Sequence, residues 1–251
     1  MSALVSWPIA LATARERAGS RFVVVLAGLT AVIAFSRGAL EGASEVAGGF
    51  TAFWLAVLTF VLGAGLIADE VESGHAQLVL LRPITRAAWF GGRLAGAALV
   101  LAAALSAASL AGVAGALLSR HPPDGAALLA DLIALPLAFV DLAGWLVVLA
   151  CVSVVSRGWS NVVRVLIAML AWGTLRLILP AAVGQPVRVS QALAAVEPYL
   201  HPRASTALAQ DLVLRRPVDW EPLLWNLLWI AAVWSIAVLL VNAIELARRR
   251  A

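Results

Sequence analysis

The chain has 251 residues, of which 63% are hydrophobic and 13% charged, with a net charge of +4 and a mean hydropathy of +0.96. Soluble domains run near 45–50% apolar and about 25% charged, so this balance excludes an ordinary soluble domain. The apolar residues fall in long blocks separated by charges, which predicts an all-α polytopic membrane protein and excludes a β-barrel, whose mark is period-two alternation in short segments. The single cysteine, Cys151, excludes an intramolecular disulfide and a cysteine-cluster metal site.

Residues 1–21 form a region of their own. Arg15, Arg17 and Arg21 follow the apolar stretch Trp7 to Ala14, the reverse of a signal peptide, which places its positive charge first. Ser6 suits a helix cap and Pro8 its first turn, so Trp7 to Ser20 reads as an amphipathic helix in the membrane interface, its arginines toward lipid headgroups. A disordered tail is the alternative.

Residues 22–251 read as a single transmembrane domain with six spans, at about 22–40, 50–68, 94–118, 132–155, 162–183 and 223–244. Each approaches the ~20 residues that cross ~30 Å of hydrocarbon. With the N-terminus inside, the inner segments hold Arg15, Arg17, Arg21, Arg82, Arg86, Arg93, Arg157, Arg164, Arg248, Arg249 and Arg250, whereas the short outer loops hold only Arg37 and Arg120. Positive charge is retained inside, so both termini and the segment 69–93 are expected to be cytoplasmic. Trp7, Trp89 and Trp159 then fall near the inner interface, and Trp54, Trp220 and Trp225 near the outer one, as aromatic belts do. Gly92/Gly96, Ala108/Gly112 and Ala111/Gly115 stand four apart in span three and suit a central packing helix. The outer segment 184–222 exceeds a simple turn, and Pro202 to Leu214 has helical character.

Segment 69–93, DEVESGHAQLVLLRPITRAAWFGGR, is the polar centre of the chain. Asp69, Glu70 and Glu72 mark where span two emerges into water. Gly74 permits a bend. Ala76 to Leu81 is too short to cross a membrane, and Arg82-Pro83 ends it. Thr85 suits the N-cap of a helix that starts at Arg86 and continues through Gly91-Gly92 into span three. A short amphipathic helix between two bends is a lever that offers an apolar face to a partner's groove.

At Glu70, Glu72, Gly74, Leu78, Leu80, Leu81, Pro83, Ile84, Thr85, Arg86, Gly92 and Arg93 the chain resembles the permease subunits of ABC transporters of the ABC-2 type. Their pattern there is an acidic pair, Gly-Thr, a leucine-rich run, Pro, a small apolar residue, Ser/Thr-Arg and Gly-Lys; His75 replaces the Thr and Arg93 the Lys. The resemblance also takes in the N-terminal helix, the six spans, the long last outer segment and the basic C-terminus, so it runs over essentially the whole chain. It implies a plasma (inner) membrane half-transporter of a bacterium, paired with a second copy of itself and with two copies of a cytoplasmic ATPase subunit that binds ATP and Mg. It further implies a coupling segment carried by Glu70, Glu72, Gly74, His75, Leu78, Leu81, Arg82, Pro83, Thr85 and Arg86. The chain has no Walker motif or Gly-rich phosphate loop, so the ATPase belongs on another polypeptide.

Asp141 and Arg176 are charges inside spans four and five. Asp141 lies about nine residues, or about 13 Å, into span four. Such charges are costly and face partners or cavities. The two read as polar points on a cargo path, as an ion pair with each other, or as a protonated Asp141 near a water-filled edge. The histidines, His75, His121 and His201, fall in loops on different sides and cannot share one metal. No HExxH or Gly-x-Ser-x-Gly motif occurs, so an enzyme is not expected, and nothing points to nucleic acid. A secondary transporter and a non-transporting membrane anchor for an ATPase are the competing functions.

Overall fold

A computed structural model of the chain describes residues 4–41, 49–74, 84–120, 122–156, 159–182, 186–196, 202 and 204–248. Among them are ten helices and no strand: α1 Trp7–Ala18, α2 Arg21–Glu41, α3 Gly49–Gly63, α4 Ala68–Glu72, α5 Arg86–Leu117, α6 Gly125–Ser153, α7 Ser160–Ala182, α8 Pro186–Val196, α9 Ala207–Val213 and α10 Glu221–Arg248. Five helical stretches are long and apolar enough to cross a membrane, namely α2, Thr51–Glu72, α5, α6 and Glu221–Ala243. The protein is therefore an all-helical, multi-pass membrane protein. The expected span five corresponds to α7, a helix of 23 residues outside those five.

Helix α5 is the centre. Its start is set as the sequence predicts, with the Thr85 hydroxyl accepting the Ala88 N–H at 3.2 Å. Helix α6 has a cap of the same kind, Asp124 Oδ1 accepting the Ala127 N–H at 2.7 Å. The small residues of α5 let two helices lie against its backbone. Helix α1 runs along the first half, where a Cβ on Gly92 would overlap Ser6 and Ile9 and one on Gly96 would overlap Ala10 and Thr13. Helix α2 runs along the second half, with Gly38 on Gly112 and Gly115 on Phe35 and Ala39. Between apolar helices in lipid there is little hydrophobic drive, and such close backbone approach supplies van der Waals packing instead. Helix α6 packs on α3 and α5, α10 packs on α6, and α7 packs chiefly on α6 and α8.

Three expectations change. Span two is not one helix over 50–68: α3 ends at Gly63 and α4 starts at Ala68, with a fully buried turn between them. At 15 residues α3 alone rises about 22 Å, short of the hydrocarbon thickness, so the crossing Thr51–Glu72 takes in the turn and α4. Trp89 is not a belt residue, being 2% exposed among Phe90 and other core side chains, whereas Trp7 and Trp159 are exposed. The arginines of α1 do not act alike: Arg15 is exposed, while Arg17 turns inward.

If glycine contact holds α1 to α5, Gly96→Leu will destabilise the protein by about 1–3 kcal/mol, the usual range for overpacking. Gly28→Leu, at a position with open space around it, will leave stability unchanged. Thermal unfolding in detergent, followed by tryptophan fluorescence, separates the two.

Candidate functional site: a buried polar clamp around a broken span

The turn 64–67 is buried, so each peptide group needs a partner within the protein. The carbonyls are all engaged. Asn161 Nδ2 donates to Gly63 O at 2.8 Å, Arg17 Nη1 to Ala64 O at 3.1 Å and Arg93 Nε to Leu66 O at 3.3 Å. Gly65 O and Ile67 O accept from the N–H groups of Asp69 and Val71, the first turn of α4. The amides are engaged too. Ser153 Oγ accepts from both Ile67 N and Ala68 N, at 3.0 and 3.1 Å. Asn161 Oδ1 accepts from Gly65 N at a long 3.4 Å, and the Ala64 and Leu66 N–H groups reach back to Val61 O and Gly63 O. Gly65 has φ +59, a left-handed conformation that a side chain resists, and a Cβ there would run into the Asp69 carboxylate.

Arg93 holds the clamp together. Only 5% exposed, it donates from Nη1 to Thr13 Oγ1 at 3.1 Å and to Glu16 Oε2 at 2.8 Å, besides its bond to Leu66 O. Its Nη2 lies 3.1 Å from Glu70 Oε1, in ion-pair range without hydrogen-bond alignment. One guanidinium thus links α1, the turn, α4 and α5, a task suited to the planar fork of arginine. Arg17 approaches from α1; burial pulls its guanidinium below the ordinary arginine value, partly offset by Glu16.

The residues read as the coupling segment divide into two groups. Glu70 is in the clamp, Glu72 is the exposed last residue of α4, and Gly74 makes the expected bend with φ +76. Thr85 caps α5, and Arg86, its first residue, reaches Asn242 Oδ1 of α10 at 3.5 Å. His75, Leu78, Leu81, Arg82 and Pro83 lie outside the described residues, as do His121 and His201. Reading the sequence alone missed the roles of Thr13, Glu16, Ser153 and Asn161. Their signal was polarity at the margins of apolar runs, without any indication of partner.

Asp141 and Arg176 are not brought together. The Asp141 carboxylate instead accepts from Ser205 N at 2.8 Å and Ser205 Oγ at 2.6 Å, and from Asn226 Nδ2 at 2.7 Å. Ser205 reaches into the bundle to make these bonds, and Pro202 packs on Gly144. Asp141 lines a cavity of about 250 Å³, Arg176 a separate one of about 620 Å³, and Trp145 borders both.

The fold and this site define a multi-pass helical membrane protein with a clamped break in one helix. No protein-family model matches the chain, and no curated protein matches it.

Arg93→Met will leave Glu70 and the Leu66 carbonyl without their cation and cost about 3 kcal/mol, the lower end for a broken buried pair because Glu16 is half exposed. Arg93→Lys will not restore the loss, since an ammonium cannot reach all these acceptors at once. Thermal unfolding in detergent measures both. Because Asp141 and Arg176 lack contact, the costs of Asp141→Asn and Arg176→Gln will add within about 0.5 kcal/mol in a double-mutant cycle.

Proposed function

We propose that the chain is the membrane-spanning permease subunit of an ATP-binding-cassette exporter of the ABC-2 type. It pairs with a second copy of itself and with two cytoplasmic ATPase subunits that bind ATP and Mg. The observation that carries this reading is the Glu70–Arg93 ion pair. These residues stand at the two ends of segment 69–93, the stretch that resembles the family's coupling segment. A push on that segment is therefore delivered to α4 and α5 as a unit, and through Glu16 and Thr13 to α1. Such rigidity is what a coupling lever requires.

The topology follows the same reading. Six crossings arise when α7 is counted, since its 23 residues rise about 35 Å. On this reading both termini and segment 69–93 are cytoplasmic, which the arginine distribution supports, and the bacterial inner membrane is what the resemblance implies. Asp141 stands about 18 Å along α6 from the clamp residue Ser153, and on this reading a cargo path would open outward from the cavity beside it.

One observation favours a secondary carrier instead, namely the break between α3 and α4, because discontinuous helices build the ion and substrate sites of such carriers. Those sites depend on unwound carbonyls that are open to a ligand. Here the carbonyls of residues 63–67 all accept hydrogen bonds from within the protein, which favours a structural break and the ATP-driven reading.

The test is co-purification of the C-terminally tagged chain, expressed with its neighbouring genes and extracted in mild detergent. A nucleotide-binding subunit is expected in equal amount, and Leu78→Asp with Leu81→Asp will release it by placing charge on the apolar docking face. Purification of the unaltered chain alone would overturn the reading in favour of a secondary carrier. Cargo movement in vesicles then separates an exporter from a membrane anchor that serves an ATPase without transport.

A further inference from the structure

A third cavity, of about 240 Å³, opens beside the clamp between α1, the start of α2, the broken span and Trp159. A water's share of liquid volume is about 30 Å³, so the space suits a small polar group rather than one solvent molecule. Its lining pairs opposite charges. Arg17 contributes a guanidinium whose Nη1 is committed to Ala64 O but whose buried Nε has no partner. Asp69 contributes an exposed carboxylate at the cavity's mouth that forms no hydrogen bond or ion pair among the described residues, although Arg17 borders the same space. Ser20 adds a hydroxyl and Trp159 an exposed indole.

The surroundings extend this pattern. Phe22 lines the cavity, and Phe22, Val25, Leu29 and Val32 are all exposed. At spacings of three and four they form one stripe along α2, leading about 15 Å from the cavity toward the bundle's other end. A cation and an anion held apart in one cavity at the start of an apolar stripe match a molecule with a phosphate, an amine and acyl chains.

We propose that this cavity is a specific seat for a membrane phospholipid with a zwitterionic, primary-amine headgroup of the phosphatidylethanolamine type. The phosphate meets Arg17 and Ser20. The ammonium donates to Asp69 and lies against the face of Trp159. The acyl chains follow the α2 stripe. A bound lipid then bridges α1, α2 and α4 next to the clamp. The inference needs only that the protein be embedded in a membrane, and it stands whether or not an ATPase partner exists.

Native mass spectrometry of the delipidated full chain tests this, with phosphatidylethanolamine, phosphatidylcholine and phosphatidylglycerol added at equal concentration. Phosphatidylethanolamine is expected to be retained most. Phosphatidylcholine, which has no N–H to give Asp69, will be retained less. Asp69→Asn will weaken phosphatidylethanolamine retention about tenfold and bring phosphatidylglycerol level with it or above it. Trp159→Ala, which leaves the turn's hydrogen bonds intact, will weaken phosphatidylethanolamine selectively, and circular dichroism will verify that both variants keep their helices. A wild-type preference for phosphatidylglycerol would overturn the proposal, as would a retention pattern that neither variant changes. Equal affinity for water-soluble glycerophosphoethanolamine would overturn the role of the α2 stripe and with it the lipid assignment.

Discussion

Interrupting a helix inside a membrane protein exposes peptide groups that have no water to turn to. Each unpaired group costs several kcal/mol, and the rest of this structure depends on meeting that demand at residues 63–68. The turn pairs some groups with its own flanking helices. The others are met by Arg17 from α1, Arg93 from α5, Ser153 from the end of α6 and Asn161 from the start of α7. Four helices distant in sequence are thereby fixed around one short stretch of backbone. Asn161 also donates to Leu149 O of α6 at 3.1 Å, so the same amide stitches the α6–α7 corner while it supports the turn.

The glycines of α5 and the clamp are parts of one arrangement. Thr13 and Glu16 have side chains of limited reach, and they meet Arg93 because α1 lies directly on the backbone at Gly92 and Gly96. A larger residue at either glycine would move α1 outward, separating the Thr13 hydroxyl and the Glu16 carboxylate from the guanidinium. Conversely, a buried Arg93 would be too costly to keep without those acceptors. Close packing makes the ion cluster geometrically possible, and the ion cluster fixes which face of α1 is packed. This accounts for an N-terminal helix that is held partly inside the protein instead of floating in the interface with all its arginines toward lipid.

The sequence made helices and their apolar stretches legible because hydropathy is a sum over many residues and tolerates local error. It also made Thr85, Gly74 and the small-residue face of α5 legible, because each acts through its own backbone or its immediate neighbours. The break after Gly63 was hidden: residues 63–68, Gly-Ala-Gly-Leu-Ile-Ala, lower neither hydropathy nor apolar content, and their partners lie elsewhere, Asn161 98 residues from Gly63. Asp141 was hidden for a related reason. Pairing it with Arg176 assumed that only neighbouring spans could reach it, whereas Ser205 arrives from a segment assigned to the outer surface and Asn226 from α10. Arg17 shows the limit of charge as a guide, since a basic residue on an interfacial helix is equally compatible with a phosphate outside and a carbonyl inside.

The clamp also determines where motion is cheap. Helices α1 and α5 share charged hydrogen bonds and backbone contacts, and α4 joins them by the Glu70–Arg93 ion pair, so separating the three would break several interactions together. Helix α7 joins the clamp at its start, through Asn161, and the rest of the helix is different. It packs chiefly on α6 and α8, and Val163, Ile167, Leu170 and Ile178 stand exposed along it. Few contacts among the described residues and an open apolar face are the marks of an element that shifts at low free-energy cost. The larger cavity, bordered by Arg164, Trp172 and Arg176 of α7 and by Trp145 of α6, lies along that joint. A force that enters at segment 69–93 would therefore move the clamped group as a body and be taken up where α6 meets α7, changing the shape of this cavity before it strains the clamp. On the proposed reading, the rigid part of the molecule is the part that would receive force, and the compliant part is the one that contains the space.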